Sequence, residues 1–329
     1  MPGHQRRVRM RNWIAGVLLG AAGAVAAAQA AYPERGVKII VPYPAGQTTD
    51  VIARAIGQEL GQALGQSFFV DNRGGAGGII GMEAAKRSEA DGYTLLMTAS
   101  GPVAINPGLY SKLPYNVEKD YELVALVAMV PLFLVVRSDF PANNVRELLD
   151  HVKQHPGQLN YGSGGSGLTN HLAMEMFKSQ AGLNLTHVPY RGAAAALTGL
   201  ISGDVAVMFE AGPAIMPHVQ AGTLKVLAVG GKEPARAFPK AAPVSEAGVP
   251  GYEAQAWIVL LAPAGTPRPV VDMLNAATRK ALGRADLQDK LAGLGAETVS
   301  ASPEQTREFI ARELSVWGQA VKSSNARVD

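Results

Sequence analysis

Val37-Lys38-Ile39-Ile40-Val41 runs directly into Pro42-Tyr43-Pro44-Ala45-Gly46-Gln47-Thr48-Thr49-Asp50. The first five residues are rich in β-branched side chains and predict a buried strand. The next nine read as a loop by their Pro and Gly content. Beyond them Ile52, Ile56, Leu60 and Leu64 share one helical face, while Gln58, Glu59 and Gln62 lie elsewhere. That spacing predicts an amphipathic helix with Thr48, Thr49 or Asp50 as its N-cap. Residues 68–71 predict a second strand, residues 74–78 a glycine turn into a helix through Met82 and Lys86, and residues 93–97 a third strand. Strand, helix, strand, helix, strand is the pattern of an α/β fold with a parallel sheet and crossover helices.

The pattern recurs further along. Residues 123–136 form a long apolar run broken by Pro131, read as two strands or one bent strand crossing between domains. A second series follows: helix 145–155, strand 159–161, glycine loop 162–167, helix 170–180, strand 185–189, helix 193–201, strand 205–209, helix 214–221 and strand 226–229. The apolar residues 256–261 return the chain to the first domain. One helix then runs from Thr266-Pro267 to Gly283, and another opens at Ser302-Pro303-Glu304-Gln305, a capping box with Pro at its first position. The expected division is residues 31–132 with 256–329 as domain 1 and 133–255 as domain 2, a two-domain arrangement that 329 residues can fill.

Residues 1–30 carry Arg6, Arg7, Arg9 and Arg11 and no acid, then an apolar run from Trp13 ending in Ala28-Gln29-Ala30. Basic region, short apolar region and small-x-small site together predict a secretory signal peptide, cut between Ala30 and Ala31. Its removal takes the net charge from +3 to −1, so the basic pI of about 9.0 belongs to the leader. The mature chain has no basic tract to follow phosphates, and nucleic-acid binding is not expected. With no cysteine, disulfides, thiolate metal sites and cysteine nucleophiles are excluded. A soluble periplasmic protein stabilised by packing alone is expected.

Two loops carry the candidate chemistry. Gly162-Ser163-Gly164-Gly165-Ser166-Gly167 matches G-x-G-x-x-G between strand and helix, but the next strand ends in Pro189-Tyr190-Arg191, without the acid that a dinucleotide site uses. Its glycines admit an anion to backbone N–H groups beside a helix N-terminus, or simply make a βα turn. The Pro42–Asp50 loop has the same logic, with Thr48 and Thr49 at a helix start. One such loop in each domain is the geometry of a binding protein that closes on its ligand. Enzyme signals are weak: there is no G-x-S-x-G, no H-E-x-x-H, and no metal pattern among the histidines.

In their order along the chain, Val41-Pro42-Tyr43-Pro44-Ala45-Gly46, Thr49-Asp50, Asp71-Asn72-Arg73, Asp91-Gly92-Tyr93-Thr94-Leu95, Ile105-Asn106-Pro107, Leu159-Asn160-Tyr161-Gly162-Ser163, His171-Leu172-Ala173, Val188-Pro189-Tyr190-Arg191-Gly192 and Ala262-Pro263-Ala264-Gly265-Thr266-Pro267 resemble the Bug family of periplasmic solute-binding proteins. The resemblance covers the mature chain. It implies the two-domain periplasmic-binding-protein fold, α/β with crossover strands and an interdomain cleft. It also implies a small carboxylate ligand, no cofactor, no catalysis, and a monomer that feeds the permease subunits of a tripartite tricarboxylate transporter. Carried over residue by residue, the ligand-binding positions are Tyr43, Ala45, Gly46, Thr48 and Thr49 in the first loop and Ser163, Gly165, Gly167 and Thr169 in the second. Gln47, Leu168, Asn170 and Glu210 depart from the family's usual residues and leave the ligand open.

Ala99, Ser100, Arg191, Glu210 and Trp257 are candidates for the rest of the wall. Arg191 would pair with a second carboxylate or lie on the surface, and Glu210 would accept from an ammonium or hydroxyl. Trp257 would be an apolar wall or hinge packing. Two other functions stand beside the uptake receptor: a sensor reporting to a membrane kinase, and an exported hydrolase using Ser163 or Ser166, for which no base is evident.

Overall fold

The computed structural model describes residues 32–324 and residue 326; the predicted leader and its cleavage bond lie outside the described residues. Strand β1 (Val37–Val41) pairs in parallel with β2 (Phe68–Asn72) on one side and β3 (Thr94–Ala99) on the other. The crossovers are α1 (Thr48–Leu64) and α2 (Ile79–Lys86). Ile52, Ile56 and Leu60 are fully buried, which is why the helical periodicity of this segment is so legible. The cap of α1 differs from expectation. Gln47 holds the N-cap position in extended geometry and makes no side-chain cap, while Thr48, Thr49 and Asp50 lie inside the first turn.

The apolar run around Pro131 is one strand, β4 (Tyr121–Arg137), with register shifts at Leu123/Ala125, Leu126/Ala128 and Leu134/Val135. Its first part pairs antiparallel with β9 (Gln255–Pro263), and its second part with β7 (Val207–Ala211) and β8 (Leu224–Val229). Strand β5 (Asn160–Ser163) is parallel to β6 (Thr186–Pro189) and β7. Among the described residues the order is β2-β1-β3-β9-β4-β7-β5-β6, with β8 and β10 (Glu297–Thr298) also on β4. The strands therefore form two wings that meet on β4 and β9. Helices α3 (Val145–Gln154), α4 (Thr169–Ala181), α5 (Ala193–Ser202) and α6 (Gly212–Gln220) belong to the second wing.

The chain ends in α7 (Arg268–Leu282), α8 (Ala285–Gly293) and α9 (Pro303–Ser324). The predicted capping box opens α9: Gln305 N–H donates to Ser302 Oγ at 3.2 Å, and Ser302 N–H donates to Gln305 Oε1 at 2.9 Å. Helix α9 packs on both β4 and α4, and so spans the two wings. At its centre Glu313 Oε2 accepts the indole N–H groups of Trp257 and Trp317 at 2.7 and 2.9 Å. Trp257 is wholly buried there and takes no part in a ligand wall.

Candidate functional site

Strands β1, β3, β5 and β7 deliver their carboxyl ends to one cavity of about 510 Å³, with Leu132 of β4, Ala256 of β9 and Ala193 at the start of α5 on its wall. Such a position, beyond the carboxyl ends of the strands of an open sheet, is where α/β folds take their ligands. Smaller hollows of about 380 Å³ beside α9 and about 180 Å³ beside the start of β4 gather no comparable set of strand ends.

Two helices begin on the cavity with open ends. Thr48 is the first residue of α1, behind Gln47; Thr169 is the first of α4, behind Leu168; all four line the cavity. Gln47 and Leu168 both have extended N-cap geometry, and neither supplies a side-chain cap. The first-turn N–H groups of a helix have no acceptor within the helix, and they carry its partial positive charge. Leu at an N-cap forgoes roughly 0.5–2 kcal/mol that Ser, Thr, Asn or Asp would contribute. Both ends are thus left to an acceptor from outside the chain.

The glycine loop itself is otherwise engaged. Gly165 N–H donates to Ser163 Oγ at 3.2 Å, and Gly167 N–H to His171 Nδ1 at 3.0 Å. Ser163 is fully buried under the loop, with Oγ 2.6 Å from His187 Nε2. The rings of Tyr161, His187 and His171 stack below, at centroid separations of 4.8 and 4.0 Å. Tyr161 donates to Glu175, which Lys178 pairs at 2.7 Å. Burial holds the His171 imidazole below its usual range; for His187, burial and then the neighbouring His171 bring it to about 4. His171 is therefore neutral and free to accept from Gly167. This cluster holds the loop in shape. It also gives Ser163 the histidine neighbour that the sequence did not reveal, in a fully buried position.

The first loop is braced similarly. Asp50 accepts Gly46 N–H at 2.8 Å, Asn72 Nδ2 at 2.9 Å and Arg54 at 3.0 Å. Burial raises this carboxyl, but those bonds outweigh it and hold it below the usual range. Tyr43 lines the cavity, and burial pushes its phenol upward.

Of the residues expected from sequence, Tyr43, Thr48, Ser100, Gly167, Thr169 and Glu210 line the cavity, as does Ala99. Ala45, Gly46, Thr49, Ser163, Gly165 and Arg191 are not among its lining residues; Arg191, Ala45 and Gly46 are exposed, and Thr49 is buried. Sequence reasoning did not place Asn106, Leu109 or Tyr110 in the site. The departures at Gln47, Leu168 and Asn170 were the available signal, since all three line the cavity.

Glu210 is the one charged side chain in the lining, among the described residues. It is 7% exposed, accepts Ala211 N–H on Oε1 at 2.9 Å and Asn170 Nδ2 on Oε2 at 3.1 Å. Burial raises its carboxyl, and the two bonds partly offset that.

Residues 52–326 match the family described as tripartite tricarboxylate transporter family receptor. The chain is 35% identical over 317 residues to Protein BugT of Bordetella pertussis, covering 96% of this chain and 97% of that protein. It is similar to the solved structure of Rhodopseudomonas palustris Rpa4515 with adipate, at 35% identity and a TM-score of 0.77, over 90% of this chain and all of that one. MatC of the same organism, solved with malate, matches at 31% identity and a TM-score of 0.72, over 88% of this chain and all of that one.

Proposed function

The chain belongs to the tripartite tricarboxylate transporter receptor family, and from that premise we propose that it captures a small carboxylate between two lobes and presents it to a membrane permease. The observation that carries this reading is the pair of uncapped helix starts, Thr48 of α1 and Thr169 of α4, on one cavity. Oriented N–H groups and hydroxyls stabilise an anion without a formal cation, and the described lining contains no Arg, Lys or His. We take residues 31–132 with 256–329 as one lobe and 133–255 as the other, since β4 exchanges β9 for β7 and β8 after Pro131, and β9 begins at Gln255. The binding positions are Tyr43, Thr48, Ser100, Gly167, Thr169 and Glu210, with Gln47 and Asn170 added.

Residues 1–30 act as the export signal and place the receptor in the periplasm; no described helix is long and apolar enough to cross a membrane. The role is one of binding rather than catalysis: Ser163 is buried, and Ser166 is exposed on the loop. Calorimetric titration of carboxylates against their methyl esters tests the core of the reading. The acids bind and the esters do not; equal binding of both overturns an anion site.

A further inference from the structure

The cavity holds more acceptors than donors on one side. Asn170 spends its amide N–H on Glu210, and its Oδ1, in a residue only 8% exposed, has no partner within the protein. Glu210 presents a carboxylate whose two oxygens each accept one bond, one from Ala211 and one from Asn170, leaving further lone pairs. Ser100 Oγ, 1% exposed and also in the lining, is unpartnered as well, and its hydroxyl can give or accept a bond. Buried polar atoms of this kind are costly unless something pairs them. The arrangement asks for a group that donates hydrogen.

Its position constrains the ligand further. Asn170 is the second residue of α4, so these acceptors lie beside the helix start that would hold a carboxylate. Arg191, which could have matched a second carboxylate, is not in the lining.

We propose that Glu210 and Asn170 select a carboxylate bearing a hydroxyl or ammonium donor next to its carboxyl group, and disfavour the same skeleton without that donor. This rests on the carboxylate-receptor reading above. An added bare carboxylate would meet Glu210 with no cation to offset it, whereas a donor satisfies Glu210 and Asn170 Oδ1 together. Sites built to pair a hydroxyl or amine reject the analogue that lacks it, because their own buried groups are then left unpaired.

The test is a calorimetric panel of butanoate, hexanoate, succinate, adipate and phenylacetate, each beside its 2-hydroxy and 2-amino counterpart. A donor-bearing acid is expected to bind at least about tenfold tighter than its parent. Glu210→Gln keeps an acceptor and the shape, so it should abolish most of the preference for 2-amino acids while retaining part of that for 2-hydroxy acids. Which arm is stronger in the wild type identifies hydroxyl or ammonium as the natural donor. Parents binding as tightly as their donor-bearing counterparts, or unchanged ratios in a folded Glu210→Gln protein, overturn the proposal and leave the receptor reading intact. The wild-type ratios decide even if the variant does not fold. No binding by any acid of the panel overturns the receptor reading together with this one.

Discussion

Replacing Leu168 by Ser gives α4 an internal cap and makes the protein compete with its own ligand. Leu168 already has N-cap geometry, φ −72 and ψ 160, so a Ser hydroxyl there reaches the first-turn N–H groups without backbone change. The substitution also removes an apolar side chain that is 50% exposed and reaches over the glycine loop, its Cδ1 3.4 Å from where a Cβ on Gly164 would stand. Full burial of Leu contributes about 1.5–3 kcal/mol, so the half that is covered contributes roughly 1 kcal/mol. A new Ser cap returns about 1 kcal/mol, and Leu168→Ser alone should change stability little.

Leu168→Ala loses the same packing with no cap, so the difference between the two variants isolates the cap. Urea denaturation without ligand should find the Ser variant about 1 kcal/mol more stable than the Ala variant. Calorimetry with a bound carboxylate should find the Ser variant weaker by a similar amount, about fivefold in Kd. Ser and Ala variants alike in both stability and affinity would mean that the α4 start is not a ligand-binding end, and the argument from open helix caps would fail.

Acidification should destabilise the protein through His187. Its folded value of about 4 lies below the unfolded ~6.5, so its contribution is complete above ~6.5 and is lost as pH falls toward 4. By about pH 4.5 the loss is roughly 2.5 kcal/mol relative to a His187→Gln variant; matching pH profiles in denaturation would refute it. Gly167→Ala forces a side chain onto φ +78 and puts its Cβ 2.7 Å from Leu109 Cδ1. It should cost about 1–2 kcal/mol of stability from the backbone alone, with a further loss of affinity, both read by thermal shift with and without ligand. Glu313→Leu leaves two buried indole N–H groups unpaired and should cost roughly 2–5 kcal/mol in urea, whereas Glu313→Gln, which still accepts, should cost less than half of that.

Local patterning made most of the fold legible. Ile52, Ile56 and Leu60 declared α1, and Ser302 with Gln305 declared the start of α9, because each signal lies within a few residues of its physical cause. Helix α8 and strand β10 escaped. The segment around Ala285 carries no strong apolar stripe, and Glu297–Thr298 is a strand only because Met129 and Ala128 stand opposite. The start of α1 was misread for a related reason. Thr and Asp are good caps by propensity, yet Asp50 is drawn inward by Gly46, Asn72 and Arg54, so the helix opens at Gln47 instead. At the site, residue types suggested the two loops, and six of the twelve expected positions line the cavity. What could not be read were the pairings across sequence. Ser163 is expected from sequence as a ligand donor, and a histidine 24 residues on lies 2.6 Å from its hydroxyl. Asn170 meets Glu210 forty residues away, a contact that only the packing of α4 on β7 creates.

Strand β4 passes unbroken from one wing into the other, and α9 lies against β4 and α4 at once. Neither wing can therefore melt without stripping ladder partners and packed surface from its neighbour. A receptor of two lobes is expected to lose its structure in a single cooperative transition, with coincident fluorescence and circular-dichroism midpoints. Whatever stabilisation a ligand adds at the cavity is then felt by the entire ladder, as far as the outer strand β2.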